Sequence, residues 1–474
     1  MTVAATQQPL PLRIAGSADP AARGVTSLPA YLRDLDDRNR RLGIDISLAR
    51  LDDLAGWRQD PSTGDYRHDT GLFFSVTGLR AASPHGPVRE WRQPILNQPE
   101  TGVLGVLVKQ IDGVLHCLMQ AKVEPGNGSG FQVAPTVQAT WSNYIRAHNG
   151  RAVPFLEYFT HPAPGSVIAD GLQSEQGAWF YRKRNQNVIV ETTDDVPAAD
   201  GFSWLTIAQL HRLLAVNDLV GMDARSVLAS LPFTGPDAGC PAGRRAGGFA
   251  GALAASLNPA AGSLHPDAGL TAWLAENQAA AAGAGELIPL NQVREWQLRD
   301  GVISHPSGQF FDIIGVRVRA RNREVNQWQQ PMLRACGTGV VAFLAARLDG
   351  VLHVLARARW EPGYDNAVQV APTVQCLRPA AGAGAPPFLS QVLHARPGQV
   401  RYDTVLPEEG GRFFRTSNRY LIVESPPVAE PPGFRWLTVH QLSRLVQSTG
   451  QVNVQARSLR ACLHSLASAA GERR

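Results

Sequence analysis

An internal repeat constrains this chain more than any other feature of its sequence. Five motifs of the first half recur in the second half, and the residue numbers differ by 237 in every pair: His68 and His305, Trp91 and Trp328, Asp112 and Asp349, Glu124 and Glu361, Ala134 and Ala371. Nearer the end of each half the difference is 232, as for Gly201 and Gly433. Because chance does not hold one spacing across five motifs, the sequence predicts a tandem duplication of one module.

The length of the chain fits this division. Its 474 residues suit two units of roughly 200 residues each, and each unit is large enough to bury a core of its own. Residues 232–285 are rich in Ala, Gly and Pro, as is typical of a linker. We therefore predict a flexible N-terminal tail over 1–24, a first module over 25–231, a linker over 232–264 and a second module over 265–474.

Composition excludes several classes of protein. Hydrophobic residues make up 44% of the chain and charged residues 18%, as in globular proteins, and no apolar run is long enough for a membrane span. The N-terminus lacks the pattern of a secretory signal, and five scattered cysteines offer neither a disulfide frame nor a zinc site. The net charge of +5 comes from dispersed arginines, which is weak evidence for nucleic acid. We predict a cytoplasmic protein with no nucleic-acid or membrane partner.

The hydrophobic pattern predicts an α+β fold with mixed or antiparallel sheets and few helices. Each half opens with a helical segment, LPAYLRDLDDRN from Leu28 and LTAWLAENQ from Leu270. Each half also ends with one, WLTIAQLHRLL from Trp204 and WLTVHQLSRLV from Trp436, in which apolar residues recur at helical spacing. The middle of each half is strand-like.

The strongest local signal is a hairpin at Asp112-Gly113, between the apolar runs 103–111 and 114–123. A two-residue turn fixes the register, so that Lys109 lies opposite His116. Side chains alternate along a strand, which places apolar residues on one face and these polar residues on the other: Lys109, His116, Gln120, Lys122 and Glu124. The second half repeats the polar face with His353, Arg357, Arg359 and Glu361, whereas Lys109 becomes Ala346.

Two interpretations of this polar face are open. Polar residues on an exposed strand face are usually only solvated. The Glu-Pro-Gly loop that follows, and then Gln132, Thr136 and Gln138, suit hydrogen bonds to a sugar or a pyrimidine and favour a binding site. His116 and His353 occur in both halves, so a structural hydrogen bond is as reasonable as catalysis.

Other signals point away from cofactors. Trp91 and Trp328 could stack on a base or fill the core equally well. His116 and Glu124 lack a well-placed third ligand, so no metal site is predicted. There is no GxGxxG after a strand, no P-loop and no GxSxG, so nicotinamide, ATP and serine-hydrolase chemistry have no local support.

The stretch HCLMQAKVEPGN from His116, continued by QVAPTVQAT from Gln132 and by Ser142-Asn143-Tyr144, resembles the NDP-hexose 2,3-dehydratase family. In the second half, residues 358–364 and 371–376 are similar to the second half of that family. The resemblance spans the chain from about residue 28. It implies two tandem Nudix-hydrolase-like modules, each a mixed β-sheet with flanking helices. It also implies a homodimer and dTDP-4-keto-6-deoxyglucose as substrate. Neither half contains the Nudix metal-binding box, which argues against pyrophosphate hydrolysis.

The implied reaction needs a base at carbon 3 of the sugar, a donor to the enolate oxygen and an acid for the hydroxyl that leaves carbon 2. The ketone at carbon 4 acidifies the carbon 3 proton, so neither a cofactor nor a metal is expected. We predict Glu124 as the base, with Lys122 steadying the enolate or the diphosphate. Tyr144 or His148 is the expected proton donor. The product would pass to an NAD(P)H-dependent 3-ketoreductase.

The remaining site residues divide between the halves. Those expected to bind substrate in the first half are Trp91, Lys109, Gln120, Asn127, Gln132, Thr136, Gln138, Ser142 and Asn143. A second nucleotide site is expected at Arg357, Arg359, Glu361, Gln369, Thr373 and Gln375. After Gln375 the second half lacks a Ser-Asn-Tyr counterpart, so catalysis is assigned to the first half. The competing interpretations are a sugar-nucleotide-binding protein without catalysis and, third, a Nudix-like hydrolase or a nucleic-acid-binding protein.

Overall fold

A computed structural model describes residues 8–83, 88–144, 152–232, 247–281, 283, 285–320, 325–377 and 385–469. Residues 8–232 are called the first half below and residues 247–469 the second half. Helices of the first half are α1 (Leu10–Ala18), α2 (Leu28–Arg41), α3 (Trp141–Tyr144), α4 (Glu157–Thr160), α5 (Ile207–Leu213) and α6 (Met222–Leu228). Helices of the second half are α7 (Gly248–Ser256), α8 (Asp267–Ala280), α9 (Leu389–Leu393), α10 (Val439–Gln447) and α11 (Val454–Ala469).

The strands follow the same order in both halves. Those of the first half are β1 (Ile44–Ala49), β2 (Trp57–Gln59), β3 (Tyr66–His68), β4 (Ser75–Ala82), β5 (Glu90–Asn97), β6 (Gly102–Ile111), β7 (Val114–Lys122), β8 (Gln132–Ala134), β9 (Val137–Ala139), β10 (Val167–Ser174), β11 (Arg184–Glu191) and β12 (Phe202–Thr206). Those of the second half are β13 (Glu286–Ile288), β14 (Gln297–Arg299), β15 (Val302–Ser304), β16 (Phe311–Ala320), β17 (Gln327–Ala335), β18 (Gly339–Leu348), β19 (Val351–Trp360), β20 (Val368–Ala371), β21 (Val374–Cys376), β22 (Val400–Pro407), β23 (Ser417–Glu424) and β24 (Phe434–Thr438).

The fold is α+β, as the sequence predicts. Each half has a larger mixed sheet with the strand order β10-β11-β6-β7-β12 or β22-β23-β18-β19-β24, to which β8 and β9 or β20 and β21 add. The β11–β6 and β23–β18 pairs are parallel, and the other pairs in these sheets are antiparallel. Among the described residues no helix is both long and apolar enough to cross a membrane.

The two smaller sheets exchange a strand between the halves. β1 of the first half pairs with β16 of the second, from Ile44 opposite Ala320 to Ala49 opposite Gly315. Reciprocally, β13 pairs with β4, with Leu287 opposite Leu79. Each smaller sheet is therefore completed by a strand from the other half.

The halves also share their largest apolar core. One cluster of buried side chains takes residues from both larger sheets and from the helices between them, including Val106, Ile189, Val354 and Ile422. The two halves therefore bury their apolar faces largely against each other. Removal of this apolar surface from water is the main contribution that stabilises the fold.

Two arginines clasp the halves together at equivalent positions. Arg225 on α6 is fully buried and donates to Ser458 Oγ at 3.2 Å, Val220 O at 2.5 Å and Pro407 O at 2.7 Å. Arg457 on α11 donates in the same way to Ser226 Oγ, Val452 O and Ser174 O. Each guanidinium thus satisfies acceptors of both halves.

The hairpin prediction is confirmed. Asp112 and Gly113 both have positive φ, 49° and 81°, as a tight type I′ turn requires, and Lys109 pairs with His116. Of the two interpretations of the polar face, the solvated one is wrong for His116, which is buried: its Nδ1 contacts Val114 O at 2.9 Å, and its Nε2 accepts from Val25 N at 3.2 Å. His353 makes the equivalent contacts with Val351 and Leu264, so both imidazoles are structural.

Helix predictions hold in part. The opening segments form α2 and α8, and the closing segments form α5 and α10. However, Trp204 and Trp436 lie in β12 and β24, because Thr206 and Thr438 each cap the following helix with a capping box and stop it from extending backwards. Inside the segment interpreted as a flexible tail, the structure places α1 with Ile14 buried, and inside the interpreted linker it places α7.

Candidate active site

A cavity of about 380 Å³ opens between the larger sheet of the first half and segments of the second half. Seven charged side chains line it: Lys122, Glu124, Glu175, Lys183, Asp223, Glu409 and Arg412. Its aromatic walls are Trp57, His68, Phe73, Phe74, Phe180 and Trp328. Trp328, Glu409 and Arg412 belong to the second half, so both halves build this site.

Glu124 follows the end of β7 and is held by two polar neighbours. Lys122 Nζ lies 3.5 Å from its Oε1, and Gln138 Nε2 donates to its Oε2 at 3.1 Å. A nearby cation and an amide donor suit the carboxylate form, which is the form that a base needs. These three predicted residues are brought together in the cavity.

Three further carboxyl groups face the same cavity, and burial raises the pKa of each. After burial, the next contribution to each raised pKa is repulsion from a neighbouring carboxyl. Glu409 acts on Glu175, Glu175 acts on Asp223, and Glu124 acts on Glu409. Glu175 Oε1 accepts from Asn185 Nδ2 at 2.6 Å, whereas its Oε2 is buried without a hydrogen-bond partner in the described structure. Because these crowded and buried carboxyls disfavour one another's ionised form, the cavity holds exchangeable protons near neutral pH.

Two cationic side chains of the cavity have a lowered pKa, in contrast to the raised pKa values of the carboxyls. Burial lowers the pKa of Lys183, although Glu175 opposes this, and burial also lowers the pKa of Arg412. Arg412 packs over the ring of Phe74 at 4.2 Å, and its Nε is buried without a hydrogen-bond partner among the described residues. An unsatisfied guanidinium nitrogen beside a cavity suits an anionic ligand.

The equivalent region of the second half is filled. Glu361 is 3% exposed, and its oxygens accept from Arg359 Nε at 2.8 Å, Gln375 Nε2 at 3.2 Å and Ala178 N at 3.1 Å. Trp179, the counterpart of Arg412, and Tyr364, the counterpart of Asn127, are both buried there. Charge is lost as well, since Asp223, Lys183 and Glu409 correspond to Gln455, Thr416 and Gln176.

Several predicted binding residues lie elsewhere. Trp91 packs against Trp360, with ring centroids 5.6 Å apart, because β5 joins the smaller sheet beside the second half. Trp328, the counterpart of Trp91, lines the cavity instead. Lys109 donates to Asp194 O at 2.5 Å near the hairpin turn. Gln120 lies in the strand pairing with Ala134 and Phe202 rather than at the cavity.

Others serve the backbone or apolar packing. Thr136 is buried, donates to Leu118 O and accepts from Leu107 N at 2.9 Å. Ser142 donates to Glu100 Oε2 at 2.9 Å. Tyr144 packs against an apolar cluster away from the cavity lining. Burial raises the pKa of Tyr144, which makes it a poorer acid. His148 lies outside the described residues, as does the side chain of Asn143.

Asn127 and Gln132 border a small pocket that adjoins the cavity at Glu124 and Asp223. In the second half Arg357 lies over the ring of Phe434, at 5.5 Å. Gln369 donates to Ser174, and Thr373 donates to Leu355 O just as Thr136 does to Leu118 O. Within the described ranges no three His, Cys, Asp or Glu side chains converge to hold a metal ion.

The Glu-Pro-Gly loop reaches its place through a glycine. Gly126 N donates to Gly410 O at 2.7 Å, and a Cβ at Gly126 would overlap with the carbonyl oxygen of Phe413. We expect Gly126→Ala to lower the free energy of unfolding by about 1–3 kcal/mol and to lower activity, because the loop must move away from Glu409. Thermal melting and steady-state assays measure both effects.

Gly128→Ala is the matched control, since a Cβ at Gly128 meets nothing within 4 Å. It should leave both the melting temperature and the activity close to the unmodified values. Equal effects of the two substitutions would show that the close approach at Gly126 does not hold the loop in place.

The charged, aromatic-walled cavity suits an enzyme that transfers protons on a polar anionic ligand. A family model for NDP-hexose 2,3-dehydratase matches residues 30–231 and 267–463. Three curated relatives are named dTDP-4-dehydro-6-deoxy-alpha-D-glucopyranose 2,3-dehydratase. The relative from Saccharopolyspora spinosa is 43% identical over 461 residues, which cover 96% of this chain and 95% of the relative.

The relative from Streptomyces violaceoruber is 46% identical over 431 residues, which cover 89% of this chain and 93% of the relative. The relative from Amycolatopsis orientalis is 41% identical over 425 residues, which cover 88% of this chain and 85% of the relative. This chain belongs to the NDP-hexose 2,3-dehydratase family. It is a hydro-lyase of sugar nucleotides, which confirms the resemblance and the predicted enzyme class.

Proposed function

We propose that this enzyme removes water from dTDP-4-keto-6-deoxyglucose, taking the proton from carbon 3 and the hydroxyl from carbon 2. The names of the three relatives specify that nucleotide as their substrate. The observation that carries the proposal is the placement of Glu124 in the cavity between Lys122 and Gln138. A positioned carboxylate of this kind can accept a proton made acidic by a neighbouring ketone.

Glu124 removes the carbon 3 proton, and the electron pair is delocalised onto the carbon 4 oxygen. Lys122 stabilises that enolate oxygen, a contribution of about 100- to 1,000-fold for one positioned donor. Arg412 and Lys183 hold the diphosphate. Aromatic side chains of the cavity wall, among them Trp57 and Trp328, stack against the thymine ring. Asn127, Gln132 and Gln138 bind sugar hydroxyls.

The two halves are copies of one Nudix-hydrolase-like module, with the boundaries 25–231 and 265–474. The support is the constant spacing of 237 and the identical order of strands in both halves. The first copy is catalytic. The second is a structural remnant of that site, because its equivalent region is filled and Arg359 donates to Glu361 and Gln375 O.

The enzyme works in the cytoplasm and as a homodimer, and the homodimer is what the family resemblance implies. Elimination leaves an enol at carbons 2 and 3 that becomes a 3,4-diketone. Such a product is reactive and suits immediate use by an NAD(P)H-dependent 3-ketoreductase. The biological role is therefore the removal of the carbon 2 hydroxyl in deoxysugar synthesis.

Purified enzyme should convert dTDP-4-keto-6-deoxyglucose with no addition, because elimination leaves the overall oxidation level of the sugar unchanged. Nuclear magnetic resonance follows the substrate, and a 3-ketoreductase traps the product. Dialysis against a chelator is the control and should leave the rate within about twofold. Activity that is lost on dialysis and returns only with a divalent metal would contradict a metal-free reaction, and no conversion at all would refute the substrate.

A further inference from the structure

The reaction needs an acid for the departing hydroxyl. Of the two residues first expected in that role, Tyr144 does not line the cavity, and His148 lies outside the described residues. Asp223 lines the cavity. It lies in the first turn of α6, is 6% exposed, and lines both the cavity and the small pocket beside it. Its Oδ1 is buried without a hydrogen-bond partner among the described residues.

A buried carboxyl oxygen without a partner is costly when charged and much less so when protonated. Six charged neighbours act on Asp223: Glu175, Glu124 and Glu409 disfavour its ionised form, whereas Lys122, Arg225 and Arg457 favour it. Burial together with the neighbouring carboxyls prevails and holds the pKa of Asp223 well above its ordinary value. Asp223 therefore keeps a proton at a pH at which Glu124, beside Lys122 and Gln138, suits the carboxylate form.

We propose that Asp223 is the general acid of this site and gives its proton to the carbon 2 hydroxyl as that group leaves. This inference rests on the proposed elimination from dTDP-4-keto-6-deoxyglucose. Two carboxyl groups with opposite protonation at the start are the usual arrangement for an acid and a base in one site.

The step balances. Glu124 takes the carbon 3 proton, the electron pair passes through the enolate to make the bond between carbons 2 and 3 a double bond, and the bond from carbon 2 to oxygen breaks. The Asp223 proton completes the water molecule. The pair then consists of protonated Glu124 and ionised Asp223, so its total charge is unchanged, and proton transfer between them restores the starting state.

The other carboxyls fit this role less well. Burial raises the pKa of Glu409 to about 8, but both of its oxygens accept backbone N–H groups, from Gly411 at 2.7 Å and from Arg412 at 2.9 Å, so neither oxygen is free to present a proton to a ligand. Glu175 is matched in the second half by Glu408, which bonds to Asn418 in the same way, so that carboxyl serves packing in both halves. Asp223 is instead matched by Gln455, whose amide cannot supply an acidic proton.

The test separates loss of the carbon 3 proton from loss of the hydroxyl. In deuterated water, Asp223→Asn should still exchange the carbon 3 proton of dTDP-4-keto-6-deoxyglucose within about tenfold of the unmodified rate. The rate of elimination of the carbon 2 hydroxyl, measured as formation of the dehydrated product, should fall roughly 100- to 10,000-fold. The 2-deoxy-2-fluoro analogue should lose fluoride at a rate within about tenfold, because fluoride leaves with little help from an acid.

Gln455→Asn is the matched control and should change none of the three rates. The inference is wrong if Asp223→Asn keeps water release within about threefold, since Glu124 would then carry both proton transfers. It is also wrong if exchange, water release and fluoride release all fall together, because Asp223 would then only support the site.

The unmodified enzyme gives a second measurement should Asp223→Asn fail to fold. Water release should decline as the pH rises through the raised pKa of Asp223, because the acid must be protonated, whereas fluoride release should lack that decline. If the rates of water release and fluoride release decline in the same way as the pH rises, the inference is wrong. Exchange and elimination that are both absent in the unmodified enzyme would refute the proposed function, and this inference with it.

Discussion

Glu124→Gln should lower turnover of dTDP-4-keto-6-deoxyglucose roughly 100- to 10,000-fold, the contribution of a positioned base. Gln has nearly the same shape and can still contact Lys122 and Gln138, so the fold and nucleotide binding should persist. Steady-state rates, circular dichroism and dTDP titration measure the three properties. Exchange of the carbon 3 proton should be lost together with turnover, which distinguishes the base from the acid.

Glu361→Gln is the matched substitution in the second half. Because Glu361 is buried and bonded to Arg359 and Ala178, its replacement should lower the free energy of unfolding by about 1–3 kcal/mol and leave turnover within a few-fold. If Glu361→Gln instead abolishes turnover while Glu124→Gln leaves it near the unmodified rate, the catalytic half is the second.

Arg225→Met should be the most destabilising single change among those considered. The substitution keeps apolar bulk but leaves Val220 O and Pro407 O buried without their donor, and we expect a loss of about 3–5 kcal/mol in the free energy of unfolding. Urea titration followed by fluorescence measures it.

Arg40→Met is the control for Arg225→Met, because the side chain of Arg40 is 68% exposed and, among the described residues, pairs with Asp37 at the surface. Surface ion pairs of this kind contribute about 0–1 kcal/mol. Similar unfolding midpoints for the two variants would show that the arginine clasp contributes little.

The sequence predicts the local structure well where the signal is local. The Asp112-Gly113 turn and the helices from Leu28 and Leu270 depend on nearby residues, and the structure contains all three. The strand exchange was not predicted, since nothing within β1 indicates that Ile44 pairs with Ala320 in the other half. Burial of His116 was missed for the same reason, because its partner Val25 precedes it by about ninety residues.

For the site, the sequence identifies Lys122, Glu124 and Gln138, which lie close together in the sequence, at the end of β7, directly after it and on β9. It misses Asp223 and Glu409, which arrive from distant elements. A signal for both was present: each is charged where the other half has glutamine, at Gln455 and Gln176. Comparing the two halves for lost charge, rather than for shared motifs, would have found them.

The strand exchange restricts how hybrids of such enzymes can be assembled. A hybrid that joins the first half of one relative to the second half of another must preserve the pairing of β1 with β16 and of β4 with β13. It must also preserve the contacts of Arg225 with Ser458 and Pro407. Recombination at the junction between the halves therefore separates residues that must match, and both halves have to be inherited together.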